Sequence, residues 1–259
     1  RPVFADSGPR TMTLDAGDLE NRITPRTKGL IVVHLYGHPA DMDAIGAIAA
    51  RHGIFVIEDC AEAHGALYRG RRVGGLADAG TFSFFGNKII STGEGGMVTT
   101  GSAALYQKMR LLGGQGMDPA RRYWFTMVGY NYRMTNIEAA LGLAQLEQIE
   151  KHLDHRRAVA ELYRRHLPEA LVELPCEEDW ARHAFWMFTV RVKPEARIGR
   201  DKLMECLHGD GIETRPVFYP MHLMPVYEEP CASYPVAEDI ARRGLSLPTH
   251  GLLTEEDVV

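Results

Sequence analysis

Apolar and polar positions along the chain change period several times, and those changes mark its elements. Leu30-Ile31-Val32-Val33 is a continuous apolar run, the pattern of a strand covered on both faces. It ends in His34-Leu35-Tyr36-Gly37. Met42, Ile45, Ile48 and Ala49 then recur at helical spacing, and Gly53 stands where a C′ glycine belongs, so a helix is expected over 42–52. Phe55-Val56-Ile57 follows and ends on Glu58-Asp59. Strand, helix, strand in this compass is a βαβ unit.

A further strand is expected from Thr81 to Phe85, running into Gly86-Asn87-Lys88, and another from Gly96 to Thr100. Arg69 to Gly75 reads as a turn-rich loop. Before the first apolar run, Arg1 to Asp6 resembles a strand, and Asp15 to Ile23 a short helix closed by Thr24-Pro25. Ala103 to Leu112 is helical, with Leu105, Met109 and Leu112 on one face. Gly113 to Arg133 is a long irregular connection, and long connections are often functional. Thr135-Asn136-Ile137-Glu138 is a capping box. It opens a helix with Ile137, Leu141, Ala144 and Leu146 at core spacing, which continues, with a break near Asp154, to about His166. Pro168 to Pro175 marks a change of organisation. A strand (Trp186 to Val192), a helix (Asp201 to His208, stopped at Gly211) and a strand (Ile212 to Phe218) come next. A Pro- and Met-rich loop from Pro220 to Pro230 precedes a helix (Val236 to Arg243), a short strand before Pro248 and a helix start at Thr254. The expected fold class is α/β. A mostly parallel sheet occupies 1–150, and a long connecting helix with a smaller α+β unit occupies 151–259.

Composition narrows the function classes. The formal charge of −5 offers no basic surface for nucleic acid. No apolar run approaches the roughly 20 residues of a membrane span, and the first residues lack the apolar stretch of a signal peptide. The cysteines at 60, 176, 206 and 231 form no CxxC pair, so neither a metal site nor a disulfide framework is indicated, and a reducing cytoplasm is the expected compartment.

The candidate chemistry sits at two strand ends. In α/β sheets ligands bind at the C-terminal ends of strands. One run delivers Asp59 there and the other Lys88. Pyridoxal phosphate needs a lysine for a Schiff base and an acidic partner for its ring nitrogen. Only six of the 29 basic residues are lysines, and arginine is a poor Schiff-base nucleophile. From the residues alone, Asp59 could equally sit in a structural ion pair with an arginine. Ser83 could bond a phosphate oxygen or only backbone. Glu62 and His64 follow Asp59 on the same turn, and His64 could stack on a ring, touch substrate or cap. Gly80 to Lys88 lacks the Gly-Lys-Ser/Thr of a P-loop, and Gly93-Glu94-Gly95-Gly96 is a turn.

Taken in order, VIEDCAEAHGA, TFSFFGNKIISTGEGGMVTT and GYNYRMTNIEAALGLAQLE resemble the DegT/DnrJ/StrS family, pyridoxal-phosphate sugar aminotransferases of the aspartate-aminotransferase fold type I. RPVFADSGPRTMTLD and ETRPVFYPMHLMPVY also match the family, so the likeness spans the chain. Residues 113–136 look most like the branch that aminates a GDP-linked 4-keto-6-deoxymannose. The resemblance implies that Lys88 forms the Schiff base, Asp59 pairs with the pyridinium nitrogen and Ser83 binds the phosphate. It places Glu62 near the ring hydroxyl, Asn131 at a neighbouring subunit's phosphate, and Arg215 and His222 near the nucleotide sugar, while His64, from its place on the turn after Asp59, is a further candidate for substrate contact. L-glutamate is then the amino donor and a homodimer the assembly. Family members carry an N-terminal phosphate-binding segment that is missing here, and the last helix is cut at Val259. A chain truncated at both ends, or a non-catalytic module of the same fold, is the competing expectation.

Overall fold

A computed structural model describes residues 1–228 and 232–259. Cys231 and the end of the Pro220–Pro230 loop lie outside the described residues. The chain runs through α1 (Ala16–Arg22), β1 (Gly29–Val33), α2 (Met42–His52) and β2 (Phe55–Asp59). Asp41 caps α2 by accepting from the Ala44 N–H, and Gly53 closes it at φ 61°, a conformation that glycine adopts without a Cβ clash. β1 and β2 pair in parallel with Val33 opposite Asp59, so the expected βαβ unit is present.

A hairpin of β3 (Leu67–Tyr68) and β4 (Arg71–Arg72) overlaps the expected 69–75 loop, turning at Arg69 and Gly70, both at positive φ. β5 (Ala79–Ser83) joins β2 in parallel, and β6 (Gly96–Thr99) closes the sheet antiparallel, in the order β1-β2-β5-β6. α3 (Ala103–Gly113), α4 (Asn136–Leu146) and α5 (Ile149–His166) follow. Then come β7 (Val172–Glu173), β8 (Ala181–Arg182), β9 (Phe188–Val192), α6 (Arg200–Gly209), β10 (Arg215–Pro216), α7 (Pro235–Arg243), β11 (Gly244–Leu247) and α8 (Glu255–Val258). A second sheet, antiparallel throughout, has the order β10-β11-β9-β7, and β8 adds to the β3–β4 hairpin. Fold class and fold type I are as expected: a mostly parallel sheet followed by α+β elements.

Several boundaries differ from expectation. Arg1 to Asp6 is not a strand. The Asp6 carboxylate instead accepts from the Val236 and Ala237 N–H groups in the first turn of α7, and its own N–H donates to Asp18, so side chains hold the segment without a ladder. β5 starts at Ala79 and stops at Ser83, because the Phe84 N–H turns to the Gly95 carbonyl. The helix break falls at Glu147–Gln148, not at Asp154. The Gln145 side chain bonds both the N–H and the carbonyl of Ser91 there, while Asp154 lies inside α5 facing Arg182. The expected 186–192 strand begins only at Phe188, after Phe185 at φ 48°. The expected 212–218 strand pairs only at Arg215–Pro216, since the Phe218 N–H donates to the Tyr36 phenol.

Cover is the largest difference. β1 was expected to be covered on both faces, but its residues alternate between buried and exposed. Leu30, Val32, Val56 and Glu58 point into the core with α2, while Ile31 is 69% and Phe55 51% exposed. The register puts Ile31, Val33, Asp59, Thr81, Ser83 and Val98 on that open face. α4 likewise buries none of its core-spaced residues, and Ile137 is 76% exposed.

Candidate active site

The site is built where β2 and β5 end. After Ser83 the chain leaves the sheet and makes a tight turn in which the Lys88 N–H donates to the Phe85 carbonyl at 3.0 Å. Ile89 and Ile90 are buried directly after it and anchor the turn. The Lys88 side chain is left 13% exposed, in the wall of a cavity of about 320 Å³. Ser83 and Asn87 share that wall with Tyr36. The far wall carries Trp186, Arg215, Phe218 and Ser246, from the second sheet and the segments leading to it.

Nζ of Lys88 lies 4.1 Å from the centre of the Trp186 ring and 3.8 Å from Glu62 Oε1. Glu62 is buried, and its other oxygen accepts the Tyr36 N–H at 2.7 Å. Burial pushes the Glu62 carboxyl up to about 7, against the pull of the Tyr36 N–H and of Lys88, while Asp59 adds to the rise. Tyr36 takes φ 55° to make that bond, and its ring stacks on Phe218 and Trp186 at 5.4 and 6.3 Å. Burial pushes its phenol up, so it stays protonated.

The expected site residues divide into those at the cavity and those away from it. Ser83, Lys88 and Arg215 line it, and Glu62 reaches Lys88 from behind the wall. Arg215 has Glu213 as its ion-pair partner at 3.6 Å and is more than half exposed. Asp59 does not line the cavity. It stands on the open face beside Thr81, with Oδ1 accepting the Ala61 N–H at 3.0 Å. Asn131 is exposed in the 114–134 loop, bridged through its backbone to Gly114. His64 is 4% exposed between the rings of Phe82 and Phe84, and neither ring nitrogen has a hydrogen-bond partner in the protein. Burial lowers it to about 4, which keeps it neutral at pH 7. His222 is buried against Tyr234, with Nε2 3.0 Å from Glu238 Oε1. Neither histidine lines the cavity.

Tyr36, Trp186 and Phe218 were not expected here. Their signal in the sequence is an ordinary aromatic, and only long-range apposition makes them part of the site. The Trp186 Nε1–H, for example, donates to the Asn87 carbonyl 99 positions away, at 2.8 Å.

Beneath the site, Glu58 is fully buried and accepts from the Gly74, Leu76 and Ala77 N–H groups and faces His34 Nε2 at 3.1 Å. Nδ1 of His34 accepts the Ala40 N–H, so the proton sits on Nε2 and points at Glu58. Burial alone would raise the Glu58 carboxyl, yet these donors hold it below its usual value. His34, Glu58 and Cys60 bring ligand-type atoms within 4.8 Å of one another, the one such cluster among the described residues. Its imidazole and carboxylate atoms are already engaged as a latch that fixes the loop after β4.

A family model, DegT/DnrJ/EryC1/StrS aminotransferase family, matches residues 1–259. The chain is 54% identical over 260 residues to a GDP-perosamine synthase of Caulobacter vibrioides, covering 99% of this chain and 70% of that protein. A GDP-perosamine synthase of Escherichia coli O157:H7 is 45% identical over 258 residues, covering 100% and 70%. Among solved structures, S. venezuelae DesV in complex with a ketimine intermediate is similar at TM-score 0.90 and 37% identity, covering 99% of this chain and 69% of that one.

Proposed function

The chain belongs to the DegT/DnrJ/EryC1/StrS aminotransferase family, a pyridoxal-phosphate-dependent one, and from that premise we propose that it moves the amine of L-glutamate to carbon 4 of GDP-4-keto-6-deoxymannose, giving GDP-perosamine. The observation that carries this reading is the 54% and 45% identity, over nearly the whole chain, to two proteins of that named activity.

The residues present fit the cofactor. A shielded amine, a serine hydroxyl and a cation share a cavity of about 320 Å³, and a carboxylate stands on the neighbouring strand. In the proposed assignment Lys88 holds the cofactor covalently, Ser83 holds its phosphate, Asp59 keeps its ring nitrogen protonated and Glu62 faces its ring hydroxyl. Bound there, pyridoxal phosphate supplies an electron sink for the carbon that loses a proton. Lys88, once free, is the base that takes that proton and the acid that returns it. Arg215 offers a cation at the cavity mouth to the anionic part of a nucleotide sugar or to a donor carboxylate. The Tyr36–Phe218 stack shields the amine from water.

The proposal includes a homodimer, with Asn131 reaching the partner's phosphate site. Support comes from the surroundings of Asn131: Tyr123, Trp124, Phe125, Tyr130 and Tyr132 are exposed beside it, and α4 presents Ile137 and Leu141 to solvent. No described helix is long and apolar enough to cross a membrane, and a cytoplasmic location belongs to the proposal. The test is to incubate the chain with pyridoxal phosphate, L-glutamate and GDP-4-keto-6-deoxymannose and to read the amino sugar by mass spectrometry. GDP-perosamine is expected. Amination of a UDP- or dTDP-linked keto sugar in its place would overturn the substrate, and no amination of any of them would favour a non-catalytic chain.

A further inference from the structure

We propose that the indole face of Trp186 is the seat of the Lys88 ammonium, and that Arg156 and Thr249 clamp Trp186 in position for it. The inference rests on the reading of Lys88 as the reacting amine. Trp186 touches that amine; Arg156 and Thr249 act only through Trp186 and are positioning residues.

Nζ of Lys88 stands 4.1 Å above the ring, within cation–π range, with Glu62 Oε1 on its other side at 3.8 Å. A protonated amine gains from both neighbours, and a neutral one gains little from either. Trp186 is fixed far more firmly than space-filling requires. Its Nε1–H donates to Asn87, the residue beside Lys88, at 2.8 Å. Its carbonyl accepts from Thr249 Oγ1 at 2.8 Å and from Arg156 Nη1 at 3.1 Å. The same Arg156 nitrogen reaches the Phe185 carbonyl and Thr249 Oγ1. Phe185 holds φ 48°, a left-handed conformation uncommon for a bulky residue, and this turns Trp186 towards the cavity.

Arg156 points the same way. Burial lowers its guanidinium to about 10, and among the described residues its bonds go to carbonyls and a hydroxyl and to no carboxylate. A half-buried cation without a counter-charge is costly unless hydrogen bonds hold it. Its hydrogen-bond partners among the described residues are carbonyls and a hydroxyl, all on the segments that carry and brace Trp186. The groups with charge or protons around Lys88 are Glu62, the Tyr36 phenol and Arg215, with His64 behind the wall and Asp59 and Arg156 further off.

The test is competitive acylation of the chain without added cofactor, with the Lys88 peptide quantified by mass spectrometry across pH. Trp186→Leu should lower the midpoint of the Lys88 curve, so that below the midpoint labelling rises about five-fold, the order expected for a shielded cation–π contact. Trp186→Phe should give a smaller rise. Thr249→Val, which removes a clamp without removing a charge, should move the midpoint in the same direction, and the midpoint of Arg156→Met should lie below that of Arg156→Lys once the opposite effect of losing the Arg156 charge is allowed for. The plateau at high pH should not change. Repeating the series on Glu62→Gln separates the ring from the carboxylate. Unchanged midpoints in folded variants would overturn the proposal, and so would a raised plateau, which would mean that the ring only shields the amine. Should Trp186→Leu not fold, Trp186→Phe and the Arg156 pair decide. Borohydride reduction of the cofactor-loaded wild type tests the underlying reading separately. A mark on another lysine would sink the Lys88 assignment and leave the labelling result standing.

Discussion

The two main sheets are both built from apolar runs and end in opposite situations. In the second, all four residues of β11 and four of the five in β9 are buried. In the first, β1 and β2 bury alternate residues only. The difference is one of division of labour. Phe188, Val190 and Leu245 pack with α5 in a core that carries no candidate chemistry. The open face of the first sheet carries Asp59 and Ser83, and Lys88 follows directly from its strand β5. The well-covered core belongs to one sheet, and Asp59, Ser83 and Lys88 belong to the other, with Arg215 of the second sheet lining the same cavity as Ser83 and Lys88.

Four changes would break or sharpen that contrast. Lys88→Ala should have the largest effect: transamination falls by more than about 10³-fold, read as amino-sugar formation, with the unfolding midpoint little changed. Phe188→Ala, in the buried sheet, should cost about 3–5 kcal/mol in urea unfolding. Glu62→Gln should change a pH profile. The folded carboxyl sits near 7 against an ordinary 4.5, so between those values the unfolded chain has already lost the proton that the folded chain keeps. Wild-type stability therefore falls as pH rises through that window, and Glu62→Gln should flatten the slope, as measured by unfolding at pH 5 and pH 8. Ile31→Ala, on the open face, should have the smallest effect, within about 0.5 kcal/mol. A loss as large as that for Phe188→Ala would show that the face is covered in solution.

Local chemistry was legible in the sequence wherever a single residue fixes a local conformation. Gly53 closed α2, Thr135 and Glu138 opened α4, and the turn after Ser83 delivered Lys88. Reading failed where a distant partner decides. The Arg1–Asp6 segment lost its strand because Asp6 bonds the start of α7, 230 positions on. The break between α4 and α5 depends on Gln145 reaching Ser91. Apolar runs identified strands and helices but not their cover, as Ile31 and Ile137 show. At the site, Ser83 and Lys88, which stand in a distinctive motif, line the cavity together with Tyr36 and Trp186, which no motif singles out. Their part depends on aromatic contacts between segments about 150 positions apart. His64 and His222 sat in motifs yet are buried against neighbours of their own.

The central claim is that Lys88 is the amine that holds the cofactor. Titrating pyridoxal phosphate into the wild-type chain and into Lys88→Ala, and following visible absorbance, tests it most directly. The account predicts a saturable band in the wild type that is absent from the variant. A band of equal strength in folded Lys88→Ala would contradict it.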